Sequence, residues 1–171
     1  MDEKDLVALS KSGDKDAFAK LYSLYRDKLY RYAYYRLENT HDAEDAVSDA
    51  VCAAFYNIKS LKNNGAFSAW LFKILHRSCG EIIKRREKTR QDSDIDEMEG
   101  KLSYGFENVS QRSELTQALD ILKEEDKEIV LLSVVCQMKS AEIARIFGIG
   151  AGTVRSRLSR SLKKMRNFLE E

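Results

Sequence analysis

Apolar side chains return every third or fourth position along most of the chain, the period of a helix with one buried face. Phe18, Leu21, Tyr25, Leu29 and Tyr32 keep that spacing behind Asp14, a candidate N-cap, so a long aromatic-rich helix is expected over residues 14–37. Asn39 and Thr40 interrupt it. Asp42, Glu44 and Asp45 then put carboxylates in the first turn of a second helix, at the positive end of its dipole, and this helix is expected to run to about residue 60. Residues 61–65 read as a loop by composition, and a third helix follows over about 66–90, with Phe67, Leu71, Ile74, Ser78 and Ile82 along one side.

From residue 91 to about 111 the period fails, apolar residues thin out and acids dominate, as in a flexible linker. Beyond it the pattern predicts helices over 114–122, 125–137, 141–147 and 152–169, with a turn at Gly148-Ile149-Gly150. The expected fold is all-α. Two small helical domains, 1–90 and 113–171, are joined by an acidic flexible linker, 91–112, and the C-terminal domain is a helix-turn-helix.

Composition agrees with a helical fold: the 171 residues include no proline and only eight glycines. The longest charge-free runs, such as 129–138, are far shorter than the roughly 20 apolar residues a bilayer crossing needs. The polar start Met1-Asp2-Glu3-Lys4 does not resemble a signal peptide, so a soluble cytoplasmic protein without membrane insertion is expected. Cys52, Cys79 and Cys136 are too few and too scattered for a disulfide framework or a zinc knuckle.

Charge changes the picture more. The net is only +1, but residues 59–90 hold nine Lys or Arg against two acids, and residues 139–166 hold eight against one. Residues 37–58 carry five acids and no base, and 92–107 carry six acids and one lysine. Two basic blocks held apart by an acidic one suggest two contacts on a polyanion, because each cation docked on a phosphate releases a counterion. A solvated helix face is the plainer reading of either block alone.

The C-terminal block carries the sharper signal. A short helix around Glu142-Ile143-Ala144, a turn at Gly148 and a second helix from Gly152 make a helix-turn-helix, in which Ala144 permits close packing and Gly148 a left-handed turn residue. On the second helix Val154, Leu158, Leu162 and Met165 are expected to face inward. That leaves Ser156, Ser159, Arg160 and Lys163 opposite them, with Arg155, Arg157 and Lys164 flanking. Such a helix can enter a major groove, where arginine bonds guanine bidentately and hydroxyls reach bases or phosphates.

In the other block Lys73, Arg77, Gly80 and Lys84 form one stripe on the third helix. With aromatic residues at the start of that helix, the stripe could hold unstacked single-stranded bases. Phe67 and Trp70 lie near the apolar arc and are expected in the core, whereas Phe72 lies off it and is the candidate exposed ring. His76 is expected to meet solvent or phosphate. His41 and Asp45 are four apart, but no further ligand completes a metal set. No phosphate loop or nucleophile elbow appears, so no catalytic residue and no cofactor is expected.

Taken in order, these segments resemble the extracytoplasmic-function group of the sigma-70 family of RNA polymerase sigma factors. Gly13-Asp14, Ala17-Phe18, Tyr25 and Ala43-Glu44-Asp45 resemble the family's second region, and Phe67-Ser68-Ala69-Trp70-Leu71 resembles the start of its promoter-melting helix. Glu142-Ile143-Ala144 and the run from Gly152-Thr153-Val154 to Leu158 resemble its fourth region. The resemblance implies a non-enzymatic subunit whose partners are core RNA polymerase, promoter DNA, both duplex and melted non-template strand, and an anti-sigma factor. It implies that Asp45, Ser48 and Asp49 dock on the polymerase. Lys62, Asn63, Asn64, Gly65, Lys73, Arg77 and Lys84 would serve the minus-ten element. Thr153, Arg155, Ser156, Ser159, Arg160 and Lys163 would serve the minus-thirty-five element. Ser48 stands where the family usually has glutamine, and Arg77 where asparagine is common. A stand-alone helix-turn-helix regulator, the rival reading, would need only residues 113–171.

Overall fold

A computed structural model of the chain describes residues 1–92 and 113–171, and all regular structure among them is helical. The expected linker falls almost wholly outside the described residues. In the N-terminal half, α1 (Glu3–Lys11) precedes α2 (Lys15–Leu37), α3 (Thr40–Asn57) and α4 (Phe67–Gln91). The Asp14 carboxylate accepts from the Ala17 N–H at 3.1 Å and starts α2 as an N-cap. The helix stops at Glu38, which adopts the left-handed conformation (φ 52°), and Asn39 caps α3 through the Asp42 N–H at 2.9 Å. Two 3-10 turns, Ile58–Ser60 and Asn64–Ala66, bracket the loop into α4. Leu21, Leu29, Tyr32, Leu37, Phe67, Phe72 and Leu75 are fully buried where α2, α3 and α4 meet.

Helix α1 was not foreseen in the pattern. It is a short amphipathic helix of about two and a half turns that buries Leu6, Val7 and Ser10, and Asp2 and Asp5 cap each other's backbone N–H at its start. The Tyr25 hydroxyl donates to the Glu3 carboxylate, tying α1 to α2. Burial first, then that carboxylate, raise the Tyr25 pKa, so the phenol stays protonated.

The C-terminal half comprises α5 (Glu114–Asp120), α6 (Glu124–Val130), α7 (Ser140–Phe147) and α8 (Ala151–Glu170). Ser113 caps α5, and α6 runs on as a π-helical turn, Leu131–Val135, where one continuous helix was expected. Gly148 closes α7 at φ 67°, the left-handed turn the sequence called for. Leu119, Ile129, Leu131, Leu132 and Ile143 fill this half.

The halves meet where α4 faces α7 and α2 faces the π turn. The His76 ring lies edge-on to Phe147, centroids 5.4 Å apart, and the Cys136 thiol donates to the Lys28 carbonyl at 3.6 Å. Arg36, its side chain 7% exposed, brings Nε to 2.7 Å from a carboxylate oxygen of Glu128, itself 3% exposed. The two atoms are close but not aligned as a hydrogen bond. Arg36 also reaches Glu124 at 3.5 Å and donates to the His76 carbonyl at 2.7 Å, and His76 Nδ1 stands 3.4 Å from Glu128 and 3.3 Å from the Tyr32 hydroxyl. His76 is therefore a seam residue, contrary to the expectation that it meets solvent or phosphate, because it projects from α4 toward the other half.

Candidate nucleic-acid interface

On α8, Val154, Ser161 and Met165 are buried and Leu158 half-buried, so the helix lies against α6 and α7 along that edge. Leu162 was expected in this stripe but is 36% exposed, and Ser161 takes the place. Two successive four-residue steps from Val154 rotate position 162 about 80° off the line, whereas 154, 158, 161 and 165 hold it. Thr153, Arg155, Ser156, Ser159, Arg160 and Lys163 are all exposed. Arg157, expected only to flank them, binds Asp126 at 2.8 Å and Glu125 at 3.0 Å. It thereby pins α8 to the start of α6. Burial works to lower its pKa, but the two carboxylates outweigh it and hold the guanidinium charged.

Beside that pair lies a cleft of about 420 Å³ lined by Lys123, Arg160 and Lys164 along with Asp126, Arg157 and Ser161. Since Arg157 is neutralised by its carboxylates, the rim keeps three cations. Lys123 and Lys164 were not among the candidate site residues: Lys164 appears only as a flank, and Lys123 is 41 positions away in sequence with no periodic signal to join them.

The loop before α4 is held from within and from α1. Asn63 accepts from the Gly65 N–H at 2.9 Å, and Asn64 accepts from the Lys11 ammonium at 2.7 Å. Lys62, Asn63 and Gly65 are left exposed, and Asn64 half-buried. Gly65 has Lys4 close by: a Cβ there would lie 3.3 Å from the lysine side chain. Lys73 and Arg77 are exposed farther along α4. Gly80 and Lys84 belong elsewhere. They line the cleft of about 770 Å³ between the halves, with Arg36, Arg86, Arg90, Glu124 and Lys127, and Lys84 stands about 26 Å along the helix from its start. The expected aromatic surface is also rearranged. Phe72 is 1% exposed and packs on Tyr25 and Tyr32, at 6.3 and 6.1 Å between centroids. Helix α4 touches α2 as well as α3, so its buried arc is wider than one stripe and includes position 72. Trp70 is the half-exposed ring, tilted against Phe67 at 6.0 Å.

Asp45, Ser48 and Asp49 are exposed on α3, and the same face continues to Cys52 and to Tyr56, which is 80% exposed. Ser48 also edges a groove of about 540 Å³ between α2 and α3, with Tyr22, Arg26, Tyr30, Arg31 and Glu44. Asp42, one turn earlier, is paired with Arg86 of α4, Nε at 3.1 Å. Among the described residues no group of three or more His, Cys, Asp or Glu is placed to hold a metal ion, and no helix is long and apolar enough to cross a membrane.

Residues 21–89 match the family described as Sigma-70 region 2, and residues 112–165 match Sigma-70, region 4. The chain is 32% identical to the ECF RNA polymerase sigma factor SigW of Bacillus subtilis, over 98% of this chain and 97% of that protein. The chain belongs to the extracytoplasmic-function group of sigma-70 factors. Its identity to SigV of the same organism is also 32%, over 83% and 84% of the two chains. As a sigma factor it directs core RNA polymerase to promoters for transcription initiation. Its fold is shared with CnrH, solved with the cytosolic domain of CnrY (TM-score 0.75, 22% identity, 98% and 97% of the two chains). It is shared too with RpoE of Bartonella quintana, solved with the anti-sigma factor NepR (TM-score 0.72, 24% identity, 90% and 96%).

Proposed function

We propose that the sigma factor divides its task among three surfaces on two domains, 1–90 and 113–171, joined through 91–112. Asp45, Ser48 and Asp49 dock on the polymerase. Lys62, Asn63, Asn64, Gly65, Lys73 and Arg77 hold the minus-ten element as it melts. Thr153, Arg155, Ser156, Ser159, Arg160 and Lys163 read the minus-thirty-five duplex. Lys84, at the cleft between the halves, acts with the minus-ten set only once that cleft is open to DNA. The protein works in the cytoplasm without catalysing a reaction itself, and an anti-sigma protein is a further partner.

The observation that carries this reading is the exposure of every one of the six candidate side chains of α8 while the opposite edge of the helix is buried. An α-helix presented in that way is what a major groove admits. For the minus-ten surface the support is physical. An exposed amide-rich loop pinned at its base can accept an extruded base, which offsets an unstacking cost of a few kcal/mol. The test separates docking, closed binding and melting. Asp45→Arg and Asp49→Arg should weaken capture by core polymerase. Asn63→Ala and Arg77→Ala should keep closed-complex footprints yet lose permanganate reactivity of unpaired thymines, and a pre-melted bubble should rescue them. Loss of closed binding without bubble rescue would make this surface an ordinary phosphate clamp.

A further inference from the structure

Helix α1 lies ahead of the segment matched to Sigma-70 region 2, residues 21–89, yet it packs on both 3-10 turns that bracket the loop before α4. Two of its lysines stand on that loop. The Lys11 ammonium donates to the Asn64 side-chain oxygen at 2.7 Å, and the Lys4 side chain comes within 3.3 Å of where a Cβ on Gly65 would lie. Residues 4 and 11 are seven apart, about two helical turns, and so share one face. Leu6 and Val7, both buried, and the bond from Tyr25 to Glu3 hold the helix in place. The neighbouring acids Asp2 and Asp5 are occupied with each other's backbone N–H.

These bonds fix which end of each loop amide is left to a ligand. An ammonium can only donate, so its bond to Asn64 turns the amide oxygen toward α1. A backbone N–H also only donates, and that of Gly65 engages the Asn63 oxygen in the same way at 2.9 Å. What the two amides have left to offer is the NH2 of each, and Lys4 and Lys62, both exposed, flank them with ammonium groups. Each of these four groups donates.

We propose that α1 belongs to the minus-ten site: Lys11 is a positioning residue that turns the Asn64 amide, and the resulting rim of donors selects an extruded guanine or cytosine over adenine or thymine. The proposal rests on the promoter reading above and adds its base specificity. A rim that donates favours a base edge with two neighbouring acceptors. Guanine has such a pair in O6 and N7, and cytosine in O2 and N3. In adenine N1 and N7 each neighbour the N6 amino donor, and in thymine the N3–H separates the two carbonyls. Lys4 serves the adjoining phosphate, which positions the strand without reading it.

The full chain, bound to core polymerase, is titrated with bubble templates whose minus-ten non-template strand is unpaired and varied one base at a time. At one position guanine or cytosine should bind about tenfold tighter than adenine or thymine, the size of one well-made pair of bonds. Analogues that lose one acceptor, 7-deazaguanine for guanine or uracil for cytosine, should forfeit most of that factor. Lys11→Met keeps the aliphatic stem but frees the amide to turn, and should cut the preference to about twofold, whereas Lys11→Arg, which also only donates, should restore it. A merely supporting lysine would lower affinity for all four bases alike. Lys4→Met should do that, with a shallower salt slope. Should Lys11→Met lose the packing of α1, seen as a lower melting temperature, Asn64→Asp decides, because its carboxylate still accepts from Lys11 but carries no NH2. The analogues should then bind as well as their parent bases. Capture of the bubble with equal affinity for all four bases at every position, or an undiminished preference in the deciding variant, would overturn the inference and leave the promoter reading standing. A chain that captures no bubble template of any sequence with core polymerase would remove the promoter reading, and this inference with it.

Discussion

At the seam between the halves, Arg36 is nearly sealed from solvent, its Nε 2.7 Å from Glu128 and 3.5 Å from Glu124 and its Nη1 donating to the His76 carbonyl. On the outer face of α8, Arg155 and Arg160 are exposed and meet no carboxylate among the described residues. Both regions use the same cation, and the difference lies in what surrounds it. A guanidinium whose charge is already opposed by carboxylates has little left to offer a phosphate or a guanine, while an unpaired one keeps its donors and its field available. Arg157 shows the division within a single helix, because it shares α8 with the reading residues yet spends its donors on Asp126 and Glu125. Arginine counted in a basic block is thus two populations, one holding the fold and one facing outward.

The sharpest way to break that division is to strip Arg157 of its partner. Asp126→Ala removes a largely buried charge-assisted bond and should destabilise the C-terminal half by about 1.5–3 kcal/mol in denaturant unfolding, with DNA affinity falling only as the fold is lost. Glu125 is half-exposed and its replacement should cost far less, about 0.2–1 kcal/mol. The opposite pattern is expected from the outward set. Arg155→Ala and Arg160→Ala should each weaken binding to the specific duplex by about 1–3 kcal/mol and relax preference at one position, with the melting temperature unchanged. The smallest effect belongs to Lys163→Ala, which should lower affinity evenly across sequences and flatten the slope of log affinity against log salt by about one. If Arg160→Ala destabilised the fold as Asp126→Ala does, the comparison would collapse.

What could be read from the sequence follows from how local each signal is. Asp14, Gly148 and the acidic start of α3 mark helix ends by chemistry acting within four residues, and the helices begin and end within a few positions of where those residues place them. The outward face of α8 was legible for the same reason. Position 72 was misread because a helix packed on two neighbours buries a wider arc than a single stripe, and position 162 because an eight-residue step drifts off it. The seam left no trace in the pattern. Arg36 looks like an ordinary base in the last turn of α2, and Glu128 like one of several acids on α6; only the tertiary fold sets them together across 92 positions. The pairing of Lys11 with Asn64, which supports the loop before α4, depends on α1 and was invisible for the same reason.

The outward residues are proposed to serve a polymerase and not DNA alone. Run-off transcription from a linear promoter, with core RNA polymerase and the purified full chain, tests it directly. A single start site is expected that appears only when the chain is added, fades with Arg160→Ala, and is lost with Asp45→Arg although that variant still binds the isolated minus-thirty-five duplex. A folded, duplex-binding chain that gives no defined start with core polymerase, or an Asp45→Arg variant that initiates as well as wild type, would contradict it.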